Sequence, residues 1–387
     1  MNQKPLSVEA KTKYKVPFGT VSITEEARKL IDQAITTKLV TRGKYVEEFE
    51  RQFAKLFGVK EAVAVSSGTD ADALSLAVLY DYGARRGDEI IVPALSFIAT
   101  GNAVFQAGFK PVFVDVKRET LNIDVDKIEQ VITEKTRGIM PVHLMGKPAE
   151  MDRIMAIAKT HKLYVIEDAA EAHGAEYKGR LVGSIGHLAA FSLYAAHIVT
   201  TIEGGMVITN DSRMADIVRS LRNHGIVNKF EFRRIGFSAK MNEIEAAVGL
   251  GNIRIFSEIL ERRRRNLLYL IEKFRKFERF FITIREDAGE KIGPHAFSVI
   301  LRENAGFTKD EIVNFLDAKG VDSRNLFYSM PTQCPSYAFL GHKLGDFPEA
   351  EYCGDHGFHI GIHQDIEIPQ LDWVVESVAE FLKSKRL

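Results

Sequence analysis

From residue 62 onward, short apolar runs alternate with segments of helical periodicity, and this alternation limits the possible folds more than any other feature of the chain. The runs are AVAVSS (62–67), EIIVPAL (89–95), PVFVDV (111–116), GIMPVH (138–143) and LYVIED (163–168). Between them the pattern predicts a helix from Asp70, one ending at Gly108, one over 124–135 and one over 149–161. Strands apolar on both faces and separated by helices read as a parallel sheet covered on both sides. Two further runs, 188–194 and 205–209, joined by Gly204-Gly205, extend that sheet to at least six or seven strands. Ahead of it, Ser22 followed three residues later by Glu25 predicts a capped helix over 22–34. Val46, Phe49, Phe53 and Leu56 on one face before Gly58 predict another over 44–57.

After Asn210 the character changes. A long helical region from Met241 to Phe274 contains the run Arg262 to Arg265, which reads as a solvated face because Glu258 and Glu261 flank it. AFSVILRE (296–303), a helix opened by Thr308 and Glu311, and a terminal helix after Pro369 predict a smaller α+β unit. The chain has 387 residues, enough for two domains, drawn here as residues 1–250 and 251–387.

Composition removes several function classes. Lys+Arg and Asp+Glu are 52 each, so there is no broad basic field for nucleic acid or acidic lipid. The start, MNQKPLSVEAKTKYKV, has no apolar leader core, and no stretch of 18 uncharged apolar residues occurs, so we expect a cytoplasmic protein without a membrane partner. Cys334 and Cys353 are the only cysteines, too few for a disulfide framework or a four-thiolate cluster, and read as reduced packing thiols.

In an open parallel sheet, ligands bind beyond the carboxyl ends of the strands. Four such ends carry unusual residues. Ser66-Ser67-Gly68-Thr69 offers small residues and backbone N–H groups for a phosphate at a helix start, although a plain tight turn reads equally well. Phe97 follows a strand, where a ring can stack on a flat cofactor or simply pack in the core. Asp168 ends an apolar strand, placed either to pair with a protonated ring nitrogen or to cap a following helix. Ser192 and His197 arrive five residues apart before Gly204-Gly205. In combination and in this order, a phosphate cradle, a stacking ring, a carboxylate and a second hydroxyl specify a pyridoxal-phosphate (PLP) site.

The chain resembles the DegT/DnrJ/EryC1/StrS group of sugar aminotransferases. The resemblance runs from Val46-Glu47-Glu48-Phe49-Glu50 through Ser66-Ser67-Gly68-Thr69, Thr120-Leu121-Asn122-Ile123-Asp124, His143-Leu144-Met145-Gly146 and Glu167-Asp168-Ala169-Ala170 to Glu203-Gly204-Gly205. It implies the α/β fold of aspartate aminotransferase, fold type I, with a mostly parallel central sheet and a smaller C-terminal α+β domain. It also implies a homodimer with both sites at the interface. By the same resemblance Asp168 pairs with the pyridine nitrogen, Phe97 stacks on the ring, and Ser67, Gly68, Thr69 and Ser192 hold the phosphate. Glu171 and Ser238 complete the cofactor set; Ser238 and Lys240 stand where the group has the asparagine and arginine that reach the partner subunit's phosphate.

His197 departs from the group, which has at this position the lysine that links covalently to the cofactor. No lysine occurs between Gly186 and Asp211, and an imidazole cannot form that link. Histidine here is a mark of the 3-dehydratases that act on nucleotide-linked 4-keto-6-deoxyhexoses. Glu171 in place of the usual glutamine and Ile202 in place of a common glycine lean the same way. So does Gly361-Ile362-His363-Gln364, similar to a stretch of the dehydratase acting on GDP-4-keto-6-deoxymannose. The resemblance therefore implies a PLP or pyridoxamine-phosphate (PMP) enzyme with His197, poised near neutral pH, as acid and base. It takes a nucleotide-linked 4-keto-6-deoxy sugar and an amino donor such as L-glutamate. No iron–sulfur cluster is expected, since its relative acting on CDP-linked sugar needs four cysteines. The rival readings are an aminotransferase whose lysine was lost, naturally or by engineering, and a non-catalytic PLP-binding regulator.

Overall fold

The computed structural model describes residues 13–387; of the N-terminal stretch read above for a leader, residues 1–12 lie outside the described residues. Seven strands build the large sheet: β1 (Glu61–Val65), β2 (Glu89–Pro93), β3 (Lys110–Val114), β4 (Thr136–Ile139), β5 (Tyr164–Asp168), β6 (Leu188–Ser192) and β7 (Gly205–Thr209). Their order is β1-β7-β6-β5-β4-β2-β3. The five from β2 to β6 pair in parallel, whereas β7 runs antiparallel to both β1 and β6. The sheet is therefore mostly parallel, and the chain comes back antiparallel from β6 to β7 through the loop 193–204.

Helix α1 (Glu25–Thr37) begins three residues later than expected, because Thr24 rather than Ser22 accepts the capping bond, from the Ala27 N–H at 3.1 Å. Helix α2 (Lys44–Phe57) matches its expectation and stops at Gly58, whose φ of 65° favours glycine. The first N–H groups of α2 have no side-chain cap of their own. They are satisfied by the Glu243 carboxylate, which accepts from Gly43, Tyr45 and Val46 at 2.9–3.1 Å. After β1 comes helix α3 (Gly68–Ala77).

The helix expected over 124–135 is absent; only two single turns form, Val125–Lys127 and Glu129–Val131. Val131, Ile132 and Thr133 are consecutive β-branched residues, which resist helix, and the Thr133 hydroxyl instead donates to Glu89 Oε2 at 2.5 Å. The expected helix from Met241 to Phe274 breaks at Ile255 into α4 (Glu243–Arg254) and α5 (Phe256–Phe274).

Beyond α5, strands β8 (Phe281–Thr283), β9 (Ala296–Leu301), β10 (Ser323–Asn325) and β11 (Gly357–Gly361) form an antiparallel sheet in the order β8-β9-β11-β10. Helix α6 (Lys309–Ala318) carries the expected Thr308/Glu311 capping box, and α7 (Ile368–Ser384) closes the chain. The buried Val16 bridges to Val321, so the first described residues pack with this C-terminal sheet. Among the described residues no helix is long and apolar enough to cross a membrane. Both cysteines are free thiols; Cys353 is buried and Cys334 partly so.

Candidate active site

The site is built where β1 and β6 end and β7 begins, against the start of α3. A Cβ on Gly205 would stand 2.1 Å from the Ser67 carbonyl oxygen, and one on Gly68 would stand 2.8 Å from the Ser192 Cβ. Three backbones thus converge where no further side chain fits, with the unpaired N–H groups of α3 facing the gap. The turn at 66–69 is a capped helix start: Ser67 Oγ accepts from the Asp70 N–H at 3.0 Å, and the Ser66 and Ser67 hydroxyls donate to Asp70 Oδ2.

A cavity of about 340 Å³ opens at this point. Ser67, Gly68, Thr69, Phe97, Asp168, Glu171, Ser192 and His197 all line it. Ser238 does not. It sits beside Asn223, with its Oγ accepting from Lys240 Nζ at 3.3 Å. Phe97 keeps 58% of its surface exposed, with Phe327 as its ring neighbour at 5.5 Å.

Asp168 lies at the buried end of β5, its Oδ2 accepting from Thr100 Oγ1 at 2.7 Å and its Oδ1 from the Ala170 N–H at 3.2 Å. No helix follows it, so the capping alternative falls away. Burial pushes its carboxyl above the ordinary range, against the pull of the Thr100 and Ala170 bonds. A cationic ring nitrogen in this cavity would reverse that push. Next to it in sequence, Glu167 accepts from the Gly183, Ile185 and Gly186 N–H groups and from His143, bracing the end of the strand.

Glu171 accepts from the Met145 N–H at 2.7 Å and approaches His295 Nε2 at 3.5 Å; burial raises it to about 7. His197 is flanked by the rings of His295 at 5.1 Å and His173 at 5.8 Å, and its buried Nδ1 has no hydrogen-bond partner. Desolvation first, then His295 and Arg263, pull its imidazole well below the ordinary value. These surroundings work against the ring poised near neutral pH that the sequence predicts.

Several residues in and around the cavity escaped the sequence reading. Asp72, one turn into α3, is 3% exposed with an unpartnered Oδ1, and burial followed by Asp168 raises it well above its usual range. Thr100 follows Ser96 by four residues, the one signal that their hydroxyls share a face; they lie 2.8 Å apart. Arg263 was read as part of a solvated run. It is 1% exposed, because it falls on the apolar stripe of Ile259, Leu267 and Leu270, a period that sequence alone displays.

The arrangement suits a pyridine ring carrying a phosphate: a crowded N–H cradle at one end, a buried carboxylate at the other and an aromatic side chain at the mouth. Among the described residues no cluster of three or more His, Cys, Asp or Glu could hold a metal ion.

Residues 21–379 match the model of the DegT/DnrJ/EryC1/StrS aminotransferase family. The chain is 38% identical over 352 residues to a GDP-perosamine synthase of Caulobacter vibrioides, covering 90% of this chain and 92% of that one. It is 32% identical over 372 residues to the GDP-4-keto-6-deoxy-D-mannose 3-dehydratase of Yersinia pseudotuberculosis, covering 90% and 94%. Among solved structures, the E. coli GDP-4-keto-6-deoxy-D-mannose 3-dehydratase with bound hydrated PLP superposes with a TM-score of 0.87 at 28% identity, over 94% of this chain and 99% of that one.

Proposed function

This chain belongs to the DegT/DnrJ/EryC1/StrS aminotransferase family, and we propose that within it the protein is a nucleotide-sugar 3-dehydratase, removing the 3-hydroxyl of a nucleotide-linked 4-keto-6-deoxyhexose. Its cofactor is PLP, cycling with PMP. The observation that carries the reading is His197: it lines the cavity, the lining includes no lysine, and none occurs from Gly186 to Asp211.

The residues divide the work by chemistry. The N–H groups at the start of α3, with Ser67, Thr69 and Ser192, hold the phosphate; Asp168 pairs with the ring nitrogen; Phe97 covers the ring face. When bound, the cofactor supplies an amino group for the 4-keto carbon and a ring that accepts an electron pair. His197 accepts a proton and returns it to the departing 3-hydroxyl, which leaves as water. Overall the sugar C3–OH becomes C3–H, glutamate becomes 2-oxoglutarate, and ammonia is released.

The second reading, an aminotransferase, has a specific observation in its favour: the higher identity to the perosamine synthase, 38% against 32%. Borohydride reduction in the presence of PLP tests for the covalent lysine link of an ordinary aminotransferase, while an aminotransferase without that lysine is told apart by its product, an aminosugar formed without ammonia. We expect the chain to keep its unmodified mass. A pyridoxyl adduct on any lysine that reaches the cavity would overturn the dehydratase reading in favour of the aminotransferase.

A further inference from the structure

Arg263 is fully buried in the middle of α5, and no carboxylate lies within ion-pair distance of it among the described residues. Its Nε donates to Gln364 Oε1 at 2.9 Å, its Nη1 to the Ala196 carbonyl at 3.1 Å, and its Nη2 reaches the His197 carbonyl at 3.5 Å. A buried guanidinium without a carboxylate partner is a costly arrangement. The mount on which it sits is rigid. Gln364 Nε2 donates to Ser22 Oγ at 2.9 Å, and Asn266 Nδ2, one turn along α5, donates to the carbonyls of Ile362, His363 and Ile366 at 3.0–3.3 Å. The Gly361–Gln364 segment singled out in the sequence is therefore the seat of this clamp.

We infer that Arg263 is a positioning residue for His197: held by Gln364, it donates to the Ala196 carbonyl and reaches the His197 carbonyl, and so fixes the backbone that presents the imidazole. This rests on the reading of His197 as the acid and base. Other groups face His197. His173 and His295 stand on either side, Tyr194 has its ring at 6.4 Å, and Asp72, Asp168, Glu171 and Glu203 line the same cavity. The two histidines are themselves driven to the neutral state by burial, and no carboxylate pairs with His197 among the described residues. Among the groups around His197, Arg263 is the one that bonds the backbone on either side of its peptide link.

The test uses Arg263→Lys, which keeps the charge but not the fork, and Gln364→Leu, which loosens the seat of the guanidinium, in the PLP-loaded protein. We expect kcat to fall about tenfold in both at little change in KM and in PLP affinity, as a misplaced group costs rate rather than binding. Parental kcat in both folded variants overturns the positioning role, and so does a loss confined to KM. Should Arg263→Lys fail to fold, Gln364→Leu alone decides by the same split. If the enzyme proves to release aminosugar instead, the function proposed above fails, while the kcat and KM comparison made on that reaction still decides the part played by Arg263.

Discussion

Two residues beside His197 show how the site departs from ordinary backbone and charge preferences. Ile202 adopts φ of 77°, a left-handed conformation that a β-branched side chain rarely tolerates, in the return that carries Glu203 and Gly204 to the cavity. The strain is worth about 1–2 kcal/mol, and a glycine there loses about 0.5–1 kcal/mol through its freer unfolded chain. Ile202→Gly should therefore raise stability by up to about 1 kcal/mol, measured as a higher urea midpoint; a lower midpoint would show that the side chain's contacts outweigh the strain. The second residue is Glu171, raised by burial to about 7 from an ordinary 4.5. The folded state then holds a proton that the unfolded chain has released, so stability falls as pH rises from about 4.5 to 7 and is level above that window. Glu171→Gln carries no such group. Relative to the parent, we expect it to gain stability across that window by about 1–3 kcal/mol in urea unfolding at pH 5 and pH 8; equal slopes would contradict the raised carboxyl. The sequence pointed to both positions only as departures from a family habit. The strain at one and the burial at the other arise from how the chain folds back, which local composition does not encode.

Among the elements, the strands were the most legible, since each is a compact apolar run covered on both faces and bounded by polar or small residues. Helices with a clean apolar stripe, such as α2, were legible too. The segment 124–135 was not, because its β-branched run competes with its helical period and long-range partners settle the contest. The direction of β7 was also hidden: a five-residue apolar run reads alike in either sense, and the return through 193–204 brings it back antiparallel to β6. That return matters for function, since it delivers Gly205 against the Ser67 carbonyl. Gly205→Ala should push the start of α3 outward, an overpacking cost of about 1–3 kcal/mol. Since about 1.4 kcal/mol is a factor of ten, we expect PLP affinity to fall roughly 5- to 100-fold in a fluorescence titration. Unchanged affinity would place the phosphate elsewhere.

For the whole molecule, the fold class and the location of the cavity followed from the order of strands and motifs, whereas the clamp at His197 required Arg263 to meet residues 67 and 101 positions away. Assembly remains a prediction. The hairpin formed by Ile226–Asn228 and Glu231–Phe232, with the segment that follows it, leaves Phe230 89%, Phe232 61% and Ile235 88% exposed, apolar surface suited to a partner subunit. We expect a dimer in sedimentation at micromolar concentration, and Phe230→Glu with Ile235→Glu should shift it toward monomer. A fully active monomeric parent would contradict the shared-site arrangement. The most direct measurement of the function follows ammonia and sugar products together, with PLP, L-glutamate and a panel of GDP-, CDP-, dTDP- and UDP-linked 4-keto-6-deoxy sugars. His197→Asn is the control, expected to be slower by ~10²–10⁴. The expected result is one ammonia released per 3-deoxy-4-keto sugar formed on at least one substrate; accumulation of a 4-amino sugar without ammonia would contradict it.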